Sequence, residues 1–180
     1  MLMFKESFLT EKAANIHYEG HYLKYVEKVK SWGYKREDYA DIIKEKKPGP
    51  LYNNVAQILN HEFFDDSIGG AKNLIYSPEV RDFKNELESK CNFKKIFLEK
   101  TTELFGSGWV WLIYDGEYRV IVTHNGDYSP YLPICTLDLW EHSYYVDFLA
   151  NRLSYAENFI DHGINWNRVW EKHRQFNLSI

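Results

Sequence analysis

Seven histidines are the first residues of this chain that could do chemistry: His17, His21, His61, His124, His142, His162 and His173. Near neutral pH an imidazole carries protons or binds metals, although a lone histidine is more often structural. Context separates three of them from the rest. His17 falls mid-helix among apolar and aromatic neighbours, and His61 follows Asn60 on another largely apolar stretch. His142 lies four residues after Asp138, in Leu137-Asp-Leu-Trp-Glu-His-Ser-Tyr-Tyr145. Three imidazoles and one carboxylate in aromatic surroundings are a donor set for iron, manganese or zinc, with no need of sulfur. The two cysteines, Cys91 and Cys135, are too few for a disulfide framework and have no metal-ligand spacing. They point to a reducing compartment.

The elements that must position these residues fall into two parts. Lys47-Pro48-Gly49-Pro50 and Ser67-Ile68-Gly69-Gly70 interrupt the chain. Thr10 can cap a first helix, with Ala13 a weak stand-in for the capping-box acid. Ala14, His17, Tyr18, His21, Tyr25, Val26 and Val29 then recur at helical spacing up to Trp32-Gly33. A second helix begins near Leu51. It carries Val55, Ile58, Leu59 and Phe63 on one face, with Asn54, Gln57 and His61 a turn apart. Residues 79–105 read as helical. Two β-branched and aromatic runs, 109–114 and 118–123, flank the hairpin signal Asp115-Gly116. A third run, 131–137, ends at Asp138, and 144–152, 155–162 and 166–175 read as helical pieces. The expected fold is α+β: an N-terminal helical hairpin domain (1–70) packed on a C-terminal α/β domain (71–180) with a small three-stranded antiparallel sheet.

Composition narrows the function. Across 180 residues, 22 Lys+Arg against 26 Asp+Glu leave a net charge of −4, without the basic surplus of a nucleic-acid binder. No apolar run approaches the roughly 18 residues of a membrane span. The opening MLMFKESFLTEK is too charged for a signal peptide. A soluble, cytoplasmic protein that binds neither nucleic acid nor membrane is expected. The 14 Tyr, 11 Phe and 6 Trp predict an aromatic core or a ring-lined pocket.

Four strings make a more specific case. Ile16-His-Tyr-Glu-Gly-His-Tyr-Leu-Lys-Tyr-Val26, Asn53-Asn-Val-Ala-Gln-Ile-Leu-Asn-His-Glu-Phe63, Phe105-Gly-Ser-Gly-Trp-Val-Trp-Leu112 and Asp138-Leu-Trp-Glu-His-Ser-Tyr-Tyr145 resemble, in order, the motifs of the iron/manganese superoxide dismutase family. The tail with Asn151-Arg152, Tyr155 and Asn165-Trp166 is also similar. The resemblance implies a superoxide dismutase with metal ligands His17, His61, Asp138 and His142, one ion per chain and a solvent molecule in a fifth position. It implies iron, with manganese as the alternative, because Gln57 matches the glutamine of the iron-type enzymes and Gly126 cannot supply the manganese-type amide. Tyr25 and His21 match the substrate channel. Trp109, Trp111 and Trp140 match an aromatic wall. Glu141, Tyr145 and His21 match a bridge across a homodimer.

The chain departs from the family at named positions. Glu19-Gly20 replaces the usual Gly-Lys, which weakens steering of an anionic substrate toward a protein already at −4. Tyr22 replaces a second histidine, and Asp65 replaces a tryptophan, opening the aromatic wall. The proline-rich opening is missing, and 71–100 carries no matching motif. Two other readings compete. A non-catalytic superoxide-dismutase-like structural or interaction protein would be expected to lose ligands, because a buried His/Asp cluster without a cation is costly. A zinc hydrolase would want a general base beside the open position, and none can be named.

Overall fold

Thr10 opens the first helix as its N-cap, extended at φ −67° and ψ 153°, with its hydroxyl accepting from the Ala13 amide at 3.3 Å. Ala13 cannot return the favour of a capping box. Asp147 does so from 137 residues away, accepting from the Thr10 amide at 2.7 Å and from its hydroxyl at 2.6 Å. The computed structural model describes residues 8–69 and 76–177, with side chains up to residue 175. Gly70, and with it the expected boundary between residues 70 and 71, lies outside the described residues.

The first helical run is α1 (Glu11–His17), a π turn (Tyr18–Tyr22) and α2 (Leu23–Ser31). The spacing predicts one regular helix here, and the widened turn is the difference. It includes Gly20, a poor helix former. Gly33, at φ 87°, ends the run. Its amide donates to Lys30 O at 2.9 Å and the Tyr34 amide to Val29 O at 3.4 Å, the paired closure of a Schellman end. A short 3-10 turn (Arg36–Asp38) and α3 (Tyr39–Glu45) follow, where the sequence pattern predicts no helix. The segment is short and mostly charged, and α3 buries only Tyr39. Pro50 then starts α4 (Pro50–Ser67), where its missing N–H costs nothing. Val29, Tyr39, Val55 and Ile58 give this hairpin a small core of its own.

The rest is mixed. The helical stretch expected over 79–105 is divided into α5 (Pro78–Cys91) and α6 (Phe93–Glu103) by Asn92, at φ 47°. Asparagine tolerates that left-handed geometry. Strands β1 (Gly108–Tyr114), β2 (Tyr118–His124) and β3 (Pro133–Asp138) form an antiparallel sheet in the order β2-β1-β3, turning at Asp115-Gly116 as predicted. Gly108 is required where β1 meets β2, because a Cβ there would lie 2.2 Å from Thr123 O. Helices α7 (Glu141–Phe148) and α8 (Arg152–Asn158), a second π turn (Phe159–Gly163) and α9 (Trp166–Asn177) complete the chain.

The main core lies between sheet and helices and includes Phe64, Phe83, Phe97, Trp109, Trp111 and Phe159, all at most 1% exposed. Burying each such ring contributes on the order of 2–3 kcal/mol. Helix α4 reaches this core as well. Its Ser67 hydroxyl accepts from the Thr136 amide of β3 at 3.2 Å, and its Asp66 pairs with Arg168 (2.8 Å) and Lys172 of α9. The α+β architecture with its three-stranded sheet is as expected.

Candidate metal centre

Four elements each bring one side chain to a common point. His17 ends α1, His61 lies in the body of α4, Asp138 is the last residue of β3, and His142 falls in the first turn of α7. The sequence pattern placed His142 in a turn. Helix α7 starts three residues earlier than the predicted 144, with Trp140 as its N-cap. One ligand atom from each of the four residues lies within 4.8 Å of all the others. Asp138 Oδ2 is 3.1 Å from His17 Nε2, 3.3 Å from His142 Nε2 and 3.6 Å from His61 Nε2. The side chains of His17, His61 and Asp138 are fully buried, and that of His142 is 10% exposed.

Protonation follows from the surroundings. Burial and the neighbouring His17 push His61 down to about 3, against the pull of Asp138. Burial also lowers His17. Burial alone would raise Asp138, yet the nearby rings of His142 and His17, with Nε2 atoms 3.3 and 3.1 Å from its Oδ2, hold it well below the usual carboxylate range. His61 Nδ1 lies 2.7 Å from Gln57 O, and a carbonyl can only accept, so the proton sits on Nδ1 and the Nε2 lone pair faces the cluster. Among the described residues, the Nε2 atoms of His61 and His142 have no hydrogen-bond partner. Neutral imidazole lone pairs and a carboxylate oxygen converging in a buried space repel one another unless a cation lies between them. The donor set therefore fits a first-row transition metal.

Around the cluster, His21 stacks on His142 at 3.7 Å between ring centroids and 12° between planes. It is half-buried, and burial with the nearby His142 lowers it to about 4. Tyr25 lies 5.6 Å from the His61 ring. Its phenol is raised by burial and Asp138 and is steadied by a hydrogen bond with Gln57. Gln57 is 3% exposed, and a Cβ on Gly126 would lie 3.2 Å from its Cγ, so the glutamine fills the space opposite that glycine. Trp109 meets the His61 ring edge-on at 5.1 Å, and Trp140 lies 5.9 Å from His142, its indole N–H donating to Asn125 O at 3.1 Å. Trp111 stands one layer further out, 6.1 Å from Trp109 and 6.0 Å from Phe63, with its N–H on Thr123 Oγ1 at 2.9 Å. Glu141 and Tyr145 are exposed on α7, Tyr145 at 52%.

The remaining histidines stand apart. His124 and His162 are exposed, and His173 is buried between Phe83 and Trp170. The departures have visible consequences. The Tyr22 hydroxyl donates to Glu62 Oε1 at 3.1 Å, and Arg36 pairs with the other Glu62 oxygen at 2.7 Å. Asp65 lines a groove of about 520 Å³ together with Tyr18, Tyr22, Arg36, Phe63 and Tyr128. Phe64, 5.8 Å from the His17 ring, is a neighbour that the motifs did not single out, although its burial follows from its helical phase.

A family model described as "Iron/manganese superoxide dismutases, C-terminal domain" matches residues 79–172, which takes in most of the stretch that lacked a recognisable motif. The chain is 34% identical to the chloroplastic iron superoxide dismutase 2 of rice (Oryza sativa subsp. japonica), over 91% of this chain and 70% of the relative. It is 33% identical to the iron superoxide dismutase of Helicobacter pylori, over 90% and 80%. With that of Plasmodium falciparum the figures are 32%, 88% and 85%.

Proposed function

This chain belongs to the iron/manganese superoxide dismutase family, and we propose that it works as a superoxide dismutase at a single iron ion held by His17, His61, Asp138 and His142. The observation that carries this reading is the convergence of these four donors within 4.8 Å. Such an ion supplies one-electron chemistry, by which two superoxide anions and two protons become dioxygen and hydrogen peroxide. The names of the relatives favour iron, as does Gln57 packed against Gly126; manganese is the alternative.

The chain's own groups have separate tasks. Tyr25 Oη, kept protonated by burial and by Asp138, holds a proton beside the cluster, and Gln57 orients it. His21, stacked on His142 and half-exposed, stands between the cluster and solvent. Trp109 and Trp140 exclude water from the imidazoles, and Trp111 backs Trp109. The residues of 1–70 and 71–180 each contribute two donors, so a bound ion joins the two parts and stabilises the fold.

In this reading the protein is an antioxidant homodimer. Glu141 reaches the His142 of the other copy, and Tyr145 meets its His21. The exposure of Tyr145 and Val146 on α7, of Leu149 just past its end, and of Phe105 at 93%, supports an apolar contact there. Superoxide is the small-molecule partner. The two free cysteines suit the cytoplasm, and among the described residues no helix is long and apolar enough to cross a membrane. A superoxide-dismutase-like structural role is disfavoured by the complete donor set.

Elemental analysis beside a superoxide-consumption assay tests the function. About one iron per chain and metal-dependent consumption are expected. Metal-bearing protein without consumption would leave the structural role standing.

A further inference from the structure

Tyr22 stands at one of the positions where the sequence departs from the family motifs, and its surroundings give it chemistry of its own. Its ring lies 6.4 Å from the His61 ring and stacks on Tyr18 at 5.6 Å, with 19° between planes. Its hydroxyl donates to Glu62 Oε1 at 3.1 Å, and Arg36 holds the other oxygen of that carboxylate at 2.7 Å. Tyr18, Tyr22, Arg36 and Glu62 line the groove of about 520 Å³ that Asp65 shares. On this side, therefore, the cluster approaches solvent through two stacked phenols.

Removing one electron from a phenol turns it into a strong acid, so the electron leaves readily only where a base can take the proton. Tyr22, Tyr25, Trp109 and Trp140 are oxidisable rings described beside the cluster imidazoles. The Tyr25 hydroxyl bonds Gln57, the Trp109 indole nitrogen lies 3.2 Å from the Asn60 side-chain amide, and the Trp140 N–H donates to Asn125 O at 3.1 Å. Amides are poor bases. Of these four rings, Tyr22 is the one whose polar atom meets a carboxylate, an acceptor that can keep a proton.

We propose that Tyr22 is a redox-active tyrosine, oxidised by one electron when hydrogen peroxide is reduced at the cluster, with Glu62 accepting its proton. The inference rests on the iron reading above, whose product is the oxidant. Peroxide takes up two electrons and, from solvent, two protons, and its O–O bond breaks to give two waters. One electron comes from the ferrous ion, which becomes ferric. The other comes from Tyr22, which becomes a neutral tyrosyl radical as its proton passes to Glu62. Oxidation at this ring spares the cluster imidazoles and the buried Trp109.

The test mixes the ferrous, iron-loaded full chain with hydrogen peroxide and reads the organic radical by freeze-quenched electron paramagnetic resonance. A tyrosyl signal is expected in the unaltered chain. Tyr22→Phe and Glu62→Gln should each lower it several-fold, and Tyr25→Phe should keep it. A signal that survives Tyr22→Phe or Glu62→Gln, or that disappears with Tyr25→Phe, overturns the proposal. Should Tyr22→Phe fail to fold, a spin trap on the unaltered chain decides by peptide mass spectrometry. The adduct is expected on Tyr22 or its stacked neighbour Tyr18, and an adduct confined to Tyr25, Trp109 or Trp140 overturns the assignment. A chain that takes up no iron removes the functional reading along with this one; iron uptake and superoxide consumption without a radical remove this one only.

Discussion

His61 and His142 face the same carboxylate oxygen but are held by different means. His61 sits in the body of an 18-residue helix, fully buried, its ring locked to a carbonyl one turn earlier on that helix. His142 sits in the first turn of an eight-residue helix, and its ring is set by His21 at 3.7 Å and Trp140 at 5.9 Å. The N-cap of α7, Trp140, offers no side-chain hydrogen bond. One imidazole is thus fixed by local helix geometry and the other by distant packing. The locally fixed half is expected to keep its shape without metal, and the other half to loosen.

The largest effect tests the cluster itself. His142→Ala is expected to abolish metal retention and to remove the metal's contribution to stability, about 4 kcal/mol when free metal stands at a thousand times its dissociation constant. Unchanged metal content in the variant refutes the ligand assignment. In metal-free protein the two positions should separate: His61→Ala is expected to cost about 2 kcal/mol more than His142→Ala, because it leaves a void in the core. Equal denaturation midpoints would break the comparison.

A pH titration of the metal-free protein comes next in size. His61 is held at about 3 when folded, against roughly 6.5 when unfolded. Between those values the unfolded chain binds the extra proton, so the stability is full above about pH 6.5 and is lost as pH falls toward 3, by up to about 1.4 kcal/mol per pH unit. Asp138, held below its ordinary range, adds stability above about pH 4 that is lost on further acidification. A melting temperature that stays flat from pH 7 to pH 4 would argue against this burial.

Asp147→Ala sharpens the picture of the tertiary half. Asp147 clasps the start of the His17 helix to the helix of His142 through both Thr10 groups, so its loss is expected to cost about 1 kcal/mol, read by chemical denaturation. An effect below about 0.3 kcal/mol would mean that the clasp is redundant. The smallest change in monomer stability, within about 0.5 kcal/mol, is expected for Glu141→Ala, which is exposed. That variant should instead weaken the proposed dimer. Sedimentation at low concentration reads this, and an intact dimer would count against the bridge.

The same contrast governs what could be read from the sequence. The strings around His17, His61 and Asp138-His142 carried the cluster because each of its residues travels with its own local motif. The hairpin turn at Asp115-Gly116 and the stop at Gly33 were legible because turn chemistry is local. The division at Asn92 was not, since a single left-handed residue leaves the apolar period almost unbroken. Helix α3 offered too few apolar residues to show a period. Ala13 signalled that a capping acid was missing, but nothing along the chain could say that Asp147 would supply it.

The widened turn at Tyr18–Tyr22 has a consequence for how this helix can change. It stores one residue of slack between His17 and the group formed by His21 and Tyr25. Deleting a residue there would close the wide turn to a regular α turn and leave the downstream face near its present bearing. The extra residue is thus absorbed within the turn, and His21 near its end keeps its stack on His142.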